Sequence, residues 1–295
     1  MRAVVFDRYG PPDVLRFADL PDPEPQPGEV LIQVYAAGVQ PFDVAVRTGR
    51  MPWVQARFPQ QIGQEYSGVV IKGDIPPGTP VLGSTMLNAV AEKLTVPAEN
   101  VVIKPDHLDF PTAAGLVAAS QTASGAIEEL EIGTGDVLLL HAAAGSVGTI
   151  ATQLAIRAGA TVIGTASPNN HDYLRELGAL PVAYRSGLIE AVRATGLRPT
   201  VALDAAGGEA IAWSIALGVP AERVGTIVDD KAAAEHGARV VRAGRSPQRL
   251  AETINIAGLR MPIREFDWER VAEAHATVES RHGRGKVVVT TGAGE

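Results

Sequence analysis

The segment Val137-Leu-Leu-Leu-His-Ala-Ala-Ala-Gly-Ser-Val-Gly148 decides the fold class of this chain. Val137–Leu140 is fully apolar, as in a parallel strand that is buried on both faces. The residues that follow, Ser146–Arg157, have apolar side chains at helical spacing. Between the two runs an A-x-x-G-x-x-G pattern is formed by Ala142, Gly145 and Gly148. A small-residue turn that ends a buried strand and opens a helix predicts a βαβ unit that binds a dinucleotide.

Each glycine of this turn has a predicted task. Gly145 lets backbone amides approach a pyrophosphate, and Gly148 lets the helix pack closely on the strand. The helix N-terminus offers N–H donors and the positive end of its dipole to the phosphates. The residues expected to contact the cofactor here are Ala142, Ala144, Gly145, Ser146, Val147 and Gly148. The alternative is a strand–helix turn that merely requires small residues.

The segments outside this turn support an α/β fold. From about Ala113 onward, strand-like and helix-like runs alternate, which predicts a doubly wound parallel sheet of about six strands. The preceding part is rich in proline and contains short strand-like runs bounded by turn residues, which predicts a β-rich domain. Near the end, Trp268–Glu279 is predicted as a helix and Lys286–Thr290 as a strand.

The end of the second predicted strand of the parallel sheet favours NADPH over NADH. Sites for NAD commonly place an acidic residue there to hold the ribose 2′-hydroxyl, whereas Gly164–His171 contains none. Hydrogen-bond donors for a 2′-phosphate are instead expected from Ser167, Asn169 and His171, and from Tyr184 and Arg185 after the next strand. Two alternatives stay open: Asn169 or Asn170 caps a helix, or Asp172 holds the ribose.

Composition limits the function classes. The chain has 295 residues, enough for about two domains, and no cysteine, which excludes disulfides, thiolate catalysis and Cys-ligated metal sites. A net charge of −7 without a basic stripe argues against nucleic-acid binding. No apolar run approaches the length of a membrane span, and the first residues are unlike a signal peptide. We therefore expect a soluble, cytoplasmic protein.

Several motifs together resemble one family. They are Tyr9-Gly-Pro-Pro-Asp-Val-Leu15, Pro27-Gly-Glu-Val-Leu-Ile32, Ala36-Ala-Gly-Val-Gln-Pro-Phe-Asp43, Gly63-Gln-Glu-Tyr-Ser-Gly-Val69, the A-x-x-G-x-x-G turn, Leu203-Asp-Ala-Ala-Gly-Gly208 and Arg284-Gly-Lys-Val-Val288. With these motifs the chain resembles the medium-chain dehydrogenase/reductase superfamily, in its zinc-independent quinone oxidoreductase (zeta-crystallin-like) branch.

The resemblance implies an architecture and a set of site residues. It implies a GroES-like substrate domain over 1–118 and 260–295, a Rossmann NADPH-binding domain over 119–259, a homodimer, and a cleft for the nicotinamide between the domains. By matching positions, Gln40 and Asp43 would line this cleft, and Thr122 would approach the nicotinamide. Lys286 matches a lysine near the cofactor in relatives, although a solvated surface lysine is an equal alternative.

The chain also departs from the family pattern. Zinc-dependent relatives have a His-Glu pair where this chain has Gln64-Glu65, so we expect no metal site. Gln40 replaces the usual Asn before proline, and Val44 and Ala45 stand where a bulky residue is common. These changes fall in the predicted substrate domain and leave the substrate open.

The expected reaction is hydride transfer from NADPH to a quinone or an α,β-unsaturated carbonyl. Gln40, Asp43 and Tyr66 are the candidate catalytic residues, with Tyr66, like Tyr9 and Tyr35, a candidate by residue type only. One alternative is a tailoring enoyl or ketone reductase of a polycyclic or polyketide-like product. The other is an NADPH-binding protein without turnover.

Overall fold

The computed structural model describes residues 1–184, 187–242, 244–281 and 283–292. The chain divides into two compact units. The first comprises Met1–Ala118, Ser246–Ile256 and Met261–Glu295, and the second comprises Ala119–Arg245 and Ala257–Arg260. Residues 246–256 therefore group with the first unit, whereas the expected domain boundaries placed them with the nucleotide-binding segment.

The strands in chain order are β1 (Arg2–Phe6), β2 (Leu15–Asp19), β3 (Glu29–Val39), β4 (Gln60–Gln61), β5 (Glu65–Gly73), β6 (Pro80–Ser84), β7 (Lys93–Pro97), β8 (Val101–Ile103), β9 (Val137–His141), β10 (Thr161–Ala166), β11 (Leu180–Ala183), β12 (Val201–Asp204), β13 (Val224–Thr226), β14 (Arg239–Val240), β15 (Ile263–Asp267) and β16 (Lys286–Thr290). The α-helices are α1 (Pro41–Arg47), α2 (Phe110–Glu129), α3 (Ser146–Arg157), α4 (His171–Glu176), α5 (Leu188–Ala194), α6 (Ala210–Ala216), α7 (Asp230–His236), α8 (Pro247–Ile254) and α9 (Val271–Glu279).

The second unit contains a six-stranded parallel sheet. Its strand order is β11-β10-β9-β12-β13-β14, so the chain reverses its direction of winding at β9. This is the doubly wound order in which a dinucleotide binds at the carboxyl ends of the strands. The sheet core includes Leu139, Ile163, Ala202 and Val224, all fully buried. The predicted α/β fold class is confirmed.

The first unit is β-rich. It contains a seven-stranded sheet, in the order β15-β16-β3-β5-β6-β8 with β7 also paired to β3, and a three-stranded sheet β2-β1-β4. One face of the larger sheet contributes to the main hydrophobic core, for example through Ala37 and Val289. A smaller buried cluster on this sheet is formed by Ala36 and Val288 with Ala114 of α2. Because successive strand residues point to opposite faces, neighbours in the sequence have different surroundings.

Within the described part of the chain, no helix has the length and apolar character needed to cross a membrane.

Candidate functional site

The Gly-rich turn lies at the carboxyl end of β9. Ala142 adopts a left-handed backbone conformation with φ +57°, and the Gly145 N–H donates to the Ala142 carbonyl over 3.0 Å. Gly145 is the N-cap residue of α3, and its carbonyl accepts from Thr149 N–H at 2.8 Å. As at any helix start, the N–H groups of the first turn of α3 have no intrahelical acceptor. The turn therefore provides the N–H donors and the positive dipole end that bind a pyrophosphate.

The two glycines of the turn are needed for different reasons. A Cβ on Gly148 would lie 2.4 Å from the Ala142 carbonyl oxygen and 2.6 Å from Ala143 Cα, so close packing of helix on strand excludes a side chain. A Cβ on Gly145 would lie 3.3 Å from the Ala142 oxygen, the only heavy atom within 4 Å in the described structure. The space around Gly145 is thus left free by the fold, as expected where a ligand approaches the backbone.

The residues expected to contact a 2′-phosphate follow two neighbouring strands. Ala166 and Ala183, which end β10 and β11, are register partners, so Ser167 and Tyr184 leave the sheet side by side. A shallow groove of about 210 Å³ here is lined by Ala166, Pro168, Ala183 and Tyr184. Within the same loop Asn170 Nδ2 donates to Ser167 Oγ at 3.2 Å, and His171 Nε2 lies 3.3 Å from the Ala166 carbonyl oxygen. Asn169 is exposed between them.

The alternative ribose ligand, Asp172, has a partner within its own helix. Its carboxylate contacts Arg175 Nη1 at 2.5 Å and its side chain is 93% exposed. The observed contact supports a role in the first turn of α4, where an acidic side chain stabilises the helix. Arg185 lies outside the described residues.

Thr122 lies on α2, and its hydroxyl accepts a hydrogen bond from Arg245 Nη2 at 3.3 Å. Arg245 is not among the residues predicted from the sequence. Arg245 follows β14, the last strand of the parallel sheet, so the segment that carries it leaves the sheet at the carboxyl edge, where this fold binds ligands.

A buried polar network at the same edge was also missed. Asp204 ends β12 and accepts from the N–H groups of Ala206 and Gly207, each at 2.8 Å, and from Thr226 Oγ1 at 2.7 Å. Thr226 Oγ1 in turn accepts from Val228 N–H and Asp229 N–H, both at 3.1 Å. One carboxylate and one hydroxyl thereby fix the two loops that follow β12 and β13. The position of Asp204 at the end of a buried parallel strand was the available sequence signal.

His141 is the register neighbour of Asp204 and ends β9. It is buried, and its Nε2 lies 3.0 Å from Ser214 Oγ. Burial lowers the pKa of His141 to about 4, with the charge of Asp204 acting in the opposite direction. Because Ser214 Oγ donates to the Ala210 carbonyl, His141 Nε2 carries the hydrogen of this contact. A neutral histidine buried in this way supports a structural role for His141.

In the first unit, Glu65 and Lys286 form a buried ion pair. Lys286 Nζ donates to Glu65 Oε2, and the other oxygen, Oε1, accepts the backbone N–H of Ala118 at 2.6 Å. The side chain of Lys286 is only 4% exposed, so the alternative of a solvated surface lysine is wrong. Both oxygens of Glu65 have protein donors. A Cβ on Gly38 would lie 2.5 Å from Glu65 Oε2, so this position has no room for a side chain.

Asp43 is a second buried carboxyl group close to this pair. Its Oδ2 accepts the backbone N–H of Gln40 at 2.9 Å, while its Oδ1 has no partner among the described residues. Burial raises the pKa of Asp43 to about 7. The Gln40 N–H, the Lys286 charge and the Gly63 N–H oppose the rise, and the Glu65 charge adds to it. A carboxyl group with this pKa can gain or lose a proton near neutral pH.

Gln40 and Tyr66 have different surroundings. Gln40 is the N-cap residue of α1, and its Nε2 donates to Gln64 Oε1 at 3.0 Å. Tyr66 is fully buried in the main hydrophobic core, its hydroxyl has no partner among the described residues, and burial raises the pKa of its phenol. Tyr66 follows Glu65 directly in β5, so the two side chains point to opposite faces of the sheet. The structure therefore brings Gln40 and Asp43 together and places Tyr66 in the core.

Among the described residues, no group of three or more His, Cys, Asp or Glu side chains could hold a metal ion.

Two family models match this chain. Residues 26–106 match the alcohol dehydrogenase GroES-like domain, and residues 177–289 match the zinc-binding dehydrogenase model. Among curated proteins, an NADPH-dependent alkenal/one oxidoreductase of Arabidopsis thaliana is 28% identical over 98% of this chain and 79% of its own length.

Two solved structures match almost the full length of the chain. A quinone oxidoreductase from Coxiella burnetii has a TM-score of 0.86 and 29% identity, covering 99% of both chains. A mycobacterial protein complexed with NADPH has a TM-score of 0.84 and 26% identity, covering 98% of this chain and 99% of that one.

The fold, the Gly-rich turn and these matches define the chain as an oxidoreductase built on a GroES-like and a Rossmann-like unit. It belongs to the medium-chain dehydrogenase/reductase superfamily, in its quinone oxidoreductase branch.

Proposed function

We propose that this protein is an NADPH-dependent, zinc-independent oxidoreductase that reduces a quinone or an α,β-unsaturated carbonyl. The observation that carries the proposal is the turn after β9. Among the described residues, only the Ala142 carbonyl oxygen lies near the position of a Cβ at Gly145, and the first N–H groups of α3 have no intrahelical acceptor. When bound there, NADPH would supply the hydride. The chain's own groups would hold the cofactor, exclude water and stabilise charge on the acceptor.

The preference for NADPH rests on the ends of β10 and β11. Ser167, Asn169, His171 and Tyr184 offer hydroxyl, amide and imidazole groups, and the nearest carboxylate in the sequence, Asp172, is paired with Arg175. The Arabidopsis relative is named NADPH-dependent, and the mycobacterial neighbour is complexed with NADPH. We include Thr122 as a contact for the nicotinamide end, and Arg245 as the cation that holds its hydroxyl.

The first unit would supply the acceptor site. Reduction of an enone or quinone places negative charge on a carbonyl oxygen, which a neutral amide donor can stabilise. Gln40 has such a donor and is 9% exposed. Asp43, with a pKa near 7, would serve as a nearby proton reservoir. Lys286 is engaged with Glu65, so we assign it to positioning rather than to direct cofactor contact. The buried Tyr66 has no part in this proposal.

The zinc-independence of the proposal rests on Glu65 and Gln64. Glu65 is held by Lys286 and by Ala118 N–H, and Gln64 offers only an amide to a metal. The homodimer and the cytoplasmic location remain predictions.

Titration with NADPH and with NADH, followed by nicotinamide fluorescence, tests the cofactor site. Gly145→Asp places a carboxylate where the pyrophosphate would bind, with its Cβ in tight contact with the Ala142 carbonyl oxygen at 3.3 Å, and should abolish NADPH binding. Gly133→Asp is the matched control, because it adds the same charge to the same unit. Gly133 precedes the amino end of β9, away from the turn, and a Cβ there would lie 4.0 Å from the Ala158 carbonyl oxygen. Tight NADPH binding, weaker NADH binding and loss in Gly145→Asp alone would support the proposal.

Absence of binding by either nucleotide at millimolar concentration would overturn it. NADPH oxidation with quinone and enone panels then tests the reaction, and metal analysis of the active protein tests the zinc-independence. Binding without oxidation by any acceptor would favour the non-catalytic alternative.

A further inference from the structure

Gln40 is the first member of a short chain of side-chain contacts. Its Nε2 donates to Gln64 Oε1 at 3.0 Å, and Gln64 Nε2 lies 3.7 Å from the sulfur of Met86. Gln64 is partly buried, and Met86 is 59% exposed. From the sequence, Gln64 is only the residue that stands in place of a metal-ligating histidine. In the structure it is the direct neighbour of the proposed donor.

The order of donors and acceptors along the contacts from Gln40 to Gln64 to Met86 sets the direction of both amides. A thioether sulfur carries no hydrogen, so the contact with Met86 requires the nitrogen of Gln64 on that side. The oxygen of Gln64 therefore faces Gln40 and can only accept a hydrogen bond. Gln40 must then turn its NH₂ group, rather than its carbonyl oxygen, toward Gln64. The NH₂ group has a second hydrogen, and the structure describes no protein acceptor for it.

An unfixed Gln40 would be a poor donor. A carboxamide can rotate by half a turn at little cost, and its carbonyl oxygen would then repel the oxygen on which negative charge develops. Gln64 opposes this alternative, because two carbonyl oxygens facing each other cannot form a hydrogen bond. The capping box of α1, in which the Gln40 side chain accepts the backbone N–H of Asp43, favours the same orientation. Fixing the donor before the reaction is the feature that makes such groups effective in catalysis.

We propose that Gln64 is a positioning residue: it holds the Gln40 carboxamide with its nitrogen available, so that Gln40 donates to the carbonyl oxygen of an uncharged acceptor. This inference rests on the proposed function. Gln64 acts only through Gln40, so its contribution should disappear when Gln40 is removed.

A double-mutant cycle tests the inference. NADPH oxidation by a benzoquinone and by an enone is measured for the wild type, Gln40→Leu, Gln64→Leu and the double variant. Loss of the Gln40 donor should lower kcat about 100-fold, loss of Gln64 should lower kcat about tenfold, and the double variant should match Gln40→Leu. NADPH affinity and the thermal unfolding midpoint should stay near the wild-type values. Gln33→Leu is the matched control, because the Gln33 amide donates to the Glu92 carbonyl at 2.9 Å in the same unit.

The remaining outcomes contradict the inference in distinguishable ways. Additive losses near 1,000-fold, an unchanged kcat in Gln64→Leu, or a tenfold loss in Gln33→Leu would overturn it while the proposed function stands. A wild type that binds NADPH but oxidises it with neither acceptor would overturn both. If Gln64→Leu does not fold, Gln64→Met, which keeps the side-chain length, is carried through the same cycle.

Discussion

His275 should make the first unit sensitive to acid, and replacing it with leucine should remove part of this sensitivity. His275 lies on α9, is fully buried, and both its ring nitrogens lack partners among the described residues. The buried guanidinium of Arg47, which is paired with Glu279 at 2.7 Å, is its charged neighbour. Burial, and secondarily the Arg47 charge, lower the pKa of His275 from 6.5 to about 3.

The direction and size of the effect follow from proton linkage. Between pH 6.5 and pH 3 the unfolded chain binds a proton that the folded protein does not, so stability falls as the pH falls. At pH 4.5, two units below the ordinary histidine pKa, the loss from this group is about 3 kcal/mol. The free energy of unfolding of His275→Leu, taken relative to that of the wild type, should therefore rise by about 3 kcal/mol between pH 8 and pH 4.5. The contributions of His141 and Asp43 are common to both proteins and cancel in the difference.

Urea denaturation followed by tryptophan fluorescence measures this difference. Trp268 is buried one short turn before α9 in the first unit, and replacing Trp213 of the second unit with Phe in both proteins makes the signal report on the first unit. His107→Leu, at an exposed position, is the control and should leave the pH dependence unchanged. A difference between His275→Leu and the wild type that stays constant within 1 kcal/mol over this pH range would refute the reasoning.

Three further changes test other parts of the structure. Gly148→Ala should lower the stability of the second unit by about 1–3 kcal/mol or more, measured by chemical denaturation, because its Cβ has no space. Glu65→Gln should lower stability by about 3–5 kcal/mol by leaving Lys286 buried without a counter-charge, and adding Lys286→Met should recover much of this in thermal unfolding. Thr226→Val should cost about 1–3 kcal/mol and speed hydrogen exchange in the loop after β13, whereas Thr226→Ser should not; equal effects of Val and Ser would contradict the network with Asp204.

The parallel sheet could be predicted because its segments carry strong local patterns. Val137–Leu140 is a buried apolar run and is observed as the strand Val137–His141, and the helix Ser146–Arg157 is observed with the predicted bounds. α2 was missed, although it is 20 residues long. Its sequence, rich in Ala, Gly and Ser, has no apolar stripe on one face, so helical periodicity gives little signal.

The acceptor side of the site could not be predicted in detail, because its contacts join distant parts of the sequence. Gln40 and Gln64 are 24 residues apart, and Glu65 and Lys286 are 221 apart. Residue type alone suggested Tyr66 as a catalytic group. Glu65 and Tyr66 are both in β5, where the alternation of side chains places them on opposite faces of the sheet.

The contact of Gly38 with the Glu65 carboxylate has a consequence for how this sequence can change. A side chain at position 38 is excluded by the carboxylate, the carboxylate is needed by the ammonium of Lys286, and the ammonium is buried beside it. Single substitutions at these positions should therefore be rejected in a selection for folded protein. A library that randomises positions 38, 65 and 286 together should recover neutral, well-packed combinations that no sequence of single steps can reach.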